Sequence, residues 1–533
     1  MIKDGKIWVA NTEEGENLFL LPKMANRHGL VAGATGTGKT VTLKVLAESF
    51  SEMGIPVFMA DVKGDIAGIM KAGEDSENMQ ERIARFHLAE AGFAYEGAPV
   101  TLYDIYGQKG IQLRTTISEM GPILLARIMG LNELQSDILS IVFKIADEQG
   151  LLLIDTKDLK SMLQFISENR SEFEAEYGKM SPASISAIIR AVVTLDAAGG
   201  DVFFGEPALD IHDFMTLGAG GKGMINILDS ESLINNGKLY STFLLWFLSD
   251  LFEKLPEVGD LEKPKLVFFF DEAHLLFNDA PKSLLDKIEQ VVKLIRSNGV
   301  GVYFCTQNPS DIPNGVLAQL SNKVQHALRA YTPAEQKAVK AAAQSYRENP
   351  AFDTYETLLS LGTGEAIVSF LDEDGIPGIA QKAFILPPRC SFASISDTER
   401  DAAIKQSLVY GKYATAVDSD SAYEMLERLS VEKAEEEARL KEEKEAAKLA
   451  EKEAKERAKE EEKARKAAEK AAAAEEKKKK QTAKQIGSSV TGTIGREVGK
   501  TIGGTFGGKF GKTLGGNLGA SLGRGLLGSL FKN

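Results

Sequence analysis

Apolar residues along this chain follow two rhythms. Short runs rich in Val, Ile and Phe alternate with longer stretches whose apolar positions recur every three or four residues. That alternation predicts βαβ units around a mainly parallel sheet. Strands are expected at Gly29–Ala32, Ile55–Ala60, Pro99–Tyr103, Met224–Leu228, Leu266–Phe270, Val300–Thr306 and Val324–Ala330. A further pair, Glu365–Leu371 and Gly378–Leu386, flanks the turn-rich DEDGIP and reads as an edge hairpin. The run LVFFF at 266–270 is apolar on both faces, as a central parallel strand should be. No strand run appears from Arg114 to Met215, where GPILLARIMGLNELQSDILSIVFKIADE shows helical spacing, so about 114–215 is expected to be a helical insertion.

Beyond residue 390 the pattern changes. Residues 391–430 read as a helical extension. Residues 431–480 hold 16 Glu, 17 Lys or Arg and 14 Ala, with opposite charges at helical spacing but no a/d apolar seam. A solvated single helix acting as a spacer is expected there, rather than a coiled coil. The tail, 486–533, carries Gly at every fourth position from Gly495 to Gly523, each preceded by an apolar residue. Spacing of four lines the glycines along one helical ridge. With Lys500, Lys509, Lys512 and Arg524, the tail reads as a self-associating or anionic-membrane-surface helix, or as a flexible Gly-rich segment.

The charge follows the same partition. The 533 residues carry a net −13, but residues 1–430 hold 39 bases and 59 acids, a net −20. The charged segment is near neutral at +1 and residues 481–533 are +6. A broad DNA footprint normally appears as a basic face, so any nucleic-acid role must rest on local positive charge. The only cysteines, Cys305 and Cys390, exclude a disulfide scaffold or a multi-cysteine zinc site and fit a reducing cytosol. The first residues lack the apolar core of a secretory signal, and no run of about 20 uncharged apolar residues suits an ordinary membrane span. A cytoplasmic protein is expected, with the tail as a potential peripheral contact to the membrane's inner face.

Residues 33–40 read Gly33-Ala34-Thr35-Gly36-Thr37-Gly38-Lys39-Thr40, a full G-x-x-x-x-G-K-[ST] motif between an apolar strand and a helical run. The glycines let backbone N–H groups close around phosphates at a helix N-terminus. Lys39 would reach the β- and γ-phosphates of ATP, and the Thr40 hydroxyl would bind Mg²⁺. LVFFF then ends in Asp271, expected in the Mg²⁺ shell, and Glu272, expected to orient and deprotonate the attacking water. His274 completes Asp-Glu-Ala-His, letters shared with one helicase superfamily. The following strand lacks the Ser-Ala-Thr ending of those enzymes, so a loop histidine beside the acids is the plainer reading. The next strand ends in Thr306 and Gln307, where a polar side chain could sense the γ-phosphate. Arg296 is either a cation at a helix C-terminus or an arginine finger for a neighbouring subunit, with Arg329 the weaker candidate for a finger. Cys305 reads as a packed core residue.

The order GATGTGKT, MADVKGD, FFFDEAH, Arg296 and CTQNPSDIP resembles the HerA/FtsK group of P-loop ATPases, nearest the C-terminal ATPase domain of HerA-type helicases. The resemblance covers roughly residues 20–390, within an ATPase domain expected over 1–390. It implies a RecA-like core, a homo-hexameric ring with ATP between subunits, and DNA drawn through a central pore. By position it assigns Lys39 and Thr40 to the P-loop pair, Asp271 and Glu272 to metal shell and base, Gln307 to the sensor and Arg296 to the finger. Asp61 and Asp65 fall in a loop that lies near the nucleotide in such enzymes, or simply cap a strand-to-helix turn. Such helicases carry an N-terminal β-barrel, whereas roughly 25 residues precede the P-loop strand here. The competing readings are an ATP-driven protein or membrane-associated machine that does not act on nucleic acid, and a nucleotide-switched scaffold with negligible hydrolysis.

Overall fold

The computed structural model describes residues 1–233, 237–277 and 282–482. They divide into two units, Met1–Tyr423 and the segment from Glu424 onward.

The first unit is built on one sheet. Its thirteen strands are β1 (Ile2–Lys3), β2 (Lys6–Thr12), β3 (Asn17–Leu20), β4 (Gly29–Ala32), β5 (Val57–Asp61), β6 (Val100–Asp104), β7 (Ile111–Gln112), β8 (Ile225–Asp229), β9 (Leu266–Phe270), β10 (Val300–Thr306), β11 (Asn322–His326), β12 (Glu365–Ser369) and β13 (Gln381–Ile385). The spatial order is β1-β2-β13-β12-β11-β4-β10-β9-β5-β8-β6-β7, with β3 on β2. From β11 to β7 every pairing is parallel. Five of these strands, β11-β4-β10-β9-β5, give the RecA-like order with the P-loop strand second. The resemblance implied this core, extended here by β8, β6 and β7.

Strand side chains alternate between two buried faces. Val57, Met59, Val267 and Phe269 share a cluster with Leu43, Leu46 and Phe50 of helix α1 (Lys39–Glu52). Phe58 and Phe268 point the other way and stack at 4.5 Å. Phe247, from the helix Gly237–Lys254, packs edge-on against Phe58 at 4.8 Å. Burial on both faces is what the unbroken apolar run LVFFF required.

Residues 114–215 carry no strand and fold as five main helices, Ile117–Met129, Glu133–Glu148, Thr156–Glu168, Arg170–Tyr177 and Pro182–Ala197. Asn132, Asp155 and Ser181 cap three of them through side-chain oxygens, each such cap being worth about 1 kcal/mol.

Two local expectations are corrected. The pair around DEDGIP is not at a sheet edge, because β13 pairs with β2 on its far side. The strands β1–β3 lie in the segment ahead of the P-loop strand and extend the sheet antiparallel. Strand β11 stops at His326 rather than Ala330, since the Ala327 carbonyl turns to accept from Ala34 N at 2.8 Å.

Residues 391–423 belong to the first unit and include the helix Asp397–Gln406. The second unit is a helix whose full extent is Ala422–Thr482, about 90 Å at ~1.5 Å per residue. Its surface carries i,i+4 ion pairs such as Glu451–Lys455 at 2.7 Å and Glu462–Lys466 at 2.6 Å. The glycine-repeat tail lies outside the described residues. Among the described residues no single helix is long and apolar enough to cross a membrane.

Candidate nucleotide site

Parallel register brings the chemistry to one edge. Thr306 of β10 pairs with Ala32 of β4, and Phe304 of β10 pairs with Phe270 of β9. Gly33, Asp271 and Gln307 therefore all follow strand ends on the C-terminal side of the sheet, where open α/β sheets bind ligands. Because β10 lies between β4 and β9, Gln307 sits between the P-loop and the acids.

The P-loop depends on its glycines. Gly33, Gly36 and Gly38 have φ of 153°, 76° and 119°. A Cβ on Gly33 would lie 2.5 Å from His326 Cβ, so that position tolerates nothing larger. A Cβ on Gly36 would meet nothing within 4 Å, which places Gly36 at the open mouth. Thr37 Oγ1 donates to Ala34 O at 2.7 Å, and Gly364 N donates to Thr37 O at 3.0 Å. Lys39 is buried, and its Nζ donates to Gly33 O at 2.7 Å and Ala34 O at 3.1 Å. Burial lowers its pKa.

His326 supports the loop from below, and nothing in the local sequence announced it. Its ring is fully buried, with Nδ1 2.9 Å from Glu365 O and Nε2 2.8 Å from Thr42 Oγ1. A carbonyl can only accept, so Nδ1 carries the proton and Nε2 accepts from the threonine hydroxyl. Burial holds its pKa down at about 4.

The acidic pair differs residue by residue. Asp271 is buried, and desolvation with the adjacent Glu272 charge pushes its pKa up to about 6. Tyr240 Oη donates to the Asp271 carbonyl at 2.8 Å, fixing the strand end. Glu272 has φ of 48°, a left-handed conformation that costs a non-glycine residue about 1 kcal/mol or more and turns the side chain back over the edge. Its carboxylate meets Lys63 Nζ at 3.1 Å, His274 Nδ1 at 3.3 Å and Gln307 Nε2 at 3.4 Å. Cys305 is buried as a core thiol, its pKa raised by desolvation.

The DVKGD loop resolves two open readings. Asp61 accepts from Gly64 N at 2.7 Å, Ile66 N at 2.9 Å and Ala67 N at 3.3 Å, so it caps its own turn. Burial raises it to about 6. The residue this loop sends to the acids is Lys63, between the two aspartates, and no motif in the sequence marks it.

The arginines fall on opposite edges. Arg296 precedes β10, whose seven residues span roughly 23 Å to Gln307. Arg329 follows β11 on the P-loop side, exposed, with Nη1 donating to Leu359 O at 3.1 Å.

These residues suit a magnesium nucleotide. The loop presents amides and an ammonium around a mouth open at Gly36, while Thr40 and Asp271 offer hard oxygen donors of the kind Mg²⁺ takes.

Known proteins share sequence and fold with this chain. A probable helicase of Methanocaldococcus jannaschii is 33% identical over 146 residues, 27% of this chain and 26% of that protein. The DNA double-strand break repair helicase HerA of Sulfurisphaera tokodaii is 24% identical over 353 residues, 64% of this chain and 62% of its own length. The chain thus spans between a quarter and under two thirds of these relatives. Among solved structures, the plasmid coupling protein TrwB in complex with ADP and Mg²⁺ aligns over 74% of this chain and 92% of its own, at 16% identity and a TM-score of 0.49. The family model described as helicase HerA-like C-terminal matches residues 6–511, almost the whole sequence, and the chain belongs to that family.

Proposed function

We propose that the chain is an ATP-hydrolysing motor of the HerA type that works as a homo-hexameric ring in the cytoplasm and draws DNA through its central pore. The observation that carries this reading is the convergence of P-loop, Asp271, Glu272 and Gln307 on one sheet edge. P-loop amides and Lys39 hold the phosphates, and Thr40 and Asp271 hold Mg²⁺. When bound there, the ion would supply charge neutralisation to the phosphates. Glu272 takes a proton from water as its oxygen attacks the γ-phosphorus and the bond to the ADP oxygen breaks, giving ADP and phosphate. Gln307, within reach of Glu272, orients that water. Arg296 is on the far edge from its own P-loop, which supports a finger acting on a neighbour's nucleotide. DNA as substrate is supported by the relatives, among them a DNA double-strand break repair helicase, and the −20 body confines the contact to a local basic lining.

The test is ATP turnover of the full chain at low salt, with and without duplex DNA. Turnover is expected to rise with DNA, and Glu272→Gln is expected to keep ATP binding while losing at least a hundredfold in rate. Unchanged turnover in that variant removes Glu272 as the base. Brisk ATPase indifferent to DNA rejects the DNA-motor reading in favour of a machine acting on protein.

A further inference from the structure

Lys63 reaches the acids at this edge, yet neither the motif nor the proposed hydrolysis uses it. We propose that Lys63 is a γ-phosphate-sensing lysine that exchanges the Glu272 carboxylate for the terminal phosphate of ATP, so that Glu272 is released to water only when a triphosphate is bound. The proposal rests on the ATPase reading of the site above.

Three observations carry it. The first is asymmetry within the pair. The Glu272 side chain is 7% exposed and fixed by its backbone and by contacts to His274 and Gln307, whereas Lys63 is 44% exposed. When the pair opens, the lysine is the partner that moves. The second is the loop. Asp61 ties three backbone amides of the DVKGD turn, and Gly64 sits at φ 72°, a conformation that suits glycine. The backbone beneath Lys63 is therefore held, and the exchange needs only rotation of a flexible four-carbon stem. The third is charge. Lys63 faces Glu272, Asp271 and Asp65, and it is close enough to Lys39 to be felt there. Its turn follows β5, which flanks β9 on the side away from the P-loop strand, so the ammonium reaches the γ-phosphate by extending over the acids. Only the lysine of this pair is open to solvent, and a phosphate offers a charge-assisted hydrogen bond that competes for the same ammonium.

The same lysine thus holds the base occupied against ADP and frees it against ATP. ADP lacks the group that draws Lys63 away, so the contact discriminates between the two nucleotides without touching the base or ribose.

The experiment measures ATP-analogue and ADP affinity and the rate constant for turnover in the full chain, for wild type, Lys63→Ala, Lys63→Arg and Lys63→Ala in a Glu272→Gln background. Lys63→Ala is expected to leave ADP affinity within twofold, weaken the non-hydrolysable ATP analogue about tenfold and lower kcat at least tenfold. Lys63→Arg should recover most of the ATP-over-ADP preference. In the Glu272→Gln background, where the ion pair is already gone, Lys63→Ala should still weaken the ATP analogue selectively. An unchanged ATP-to-ADP ratio in both backgrounds overturns the proposal and leaves Lys63 as a structural partner of Glu272. If wild type binds nucleotide but hydrolyses none, the ATPase reading fails while the affinity ratio still decides whether Lys63 senses the γ-phosphate.

Discussion

His326 makes the sharpest test of how the P-loop is held, because its protonation would break the contacts that support the loop. The ring is neutral in the fold, with a pKa of about 4 against an ordinary 6.5. Below pH 6.5 the unfolded chain gains a proton on this residue and the folded chain does not, so stability falls as pH drops from 6.5 toward 4. At pH 5 the loss relative to pH 8 is about 2 kcal/mol from this residue. His28, also buried and held at about 4, contributes a similar loss. Asp61 and Asp271 act in the opposite sense. Raised to about 6, each binds a proton more readily folded than unfolded, adding about 1.4 kcal/mol at pH 5. The gains offset about 2.8 of the roughly 4 kcal/mol lost, so the wild-type curve sums several groups in this window and does not isolate His326.

The difference between wild type and His326→Gln isolates it. Glutamine can donate to Glu365 O and accept from Thr42 without titrating. Urea unfolding followed through Trp8 and Trp246, both buried, at pH 8 and pH 5 should show the variant losing about 2 kcal/mol less than wild type over that interval. The chain has five histidines, so carbon-13 labelling of the rings gives a spectrum in which the variant assigns His326 by subtraction. Its ring should remain neutral at pH 5. Titration near 6.5, or an equal pH-dependent loss in wild type and variant, refutes the neutral-support account.

Two further outcomes follow from the geometry. Gly33→Ala places a Cβ 2.5 Å from the fixed His326 Cβ, so nucleotide affinity by calorimetry should fall more than tenfold, whereas near-wild-type binding would mean the loop can yield there. Arg296→Ala and Lys39→Ala should each abolish turnover, yet mixing the two should restore part of it, because one supplies intact sites and the other intact fingers. No recovery across mixing ratios removes Arg296 as a finger in trans.

What could be read in the sequence was local, and what could not be read was created by pairing. The P-loop is a single turn whose glycines, lysine and threonine are contiguous, and LVFFF followed by two acids is one strand and its end. Both were legible because each is fixed by neighbours in the chain. His326 follows Gly33 by nearly three hundred residues and reaches it only because β11 lies parallel to β4. No periodicity within NKVQH shows that. Lys63 stands within the MADVKGD segment, but its place at the site depends on β5 lying beside β9, which sets the DVKGD turn against Asp271 and Glu272. The strands β1–β3 were missed for a related reason. Their pairing with β13 joins the two ends of the first unit, and short alternating runs such as KIWVANT gain strand identity from that partner.

Strand direction carries one step more than motif order. Along β10 the chain passes from Arg296, beyond one edge of the sheet, to Gln307 at the other. A single subunit cannot bring both to one phosphate, since roughly 23 Å of extended strand separates them. If both serve hydrolysis, they serve different nucleotides, Gln307 its own and Arg296 a neighbour's. A rigid buried strand would then link two sites, and a subunit that shifts as its own γ-phosphate is lost would carry its finger with it. That coupling needs a ring of like subunits and no dedicated signalling element. The mixing experiment therefore examines the finger and the assembly together, because restored turnover requires two different chains at one site.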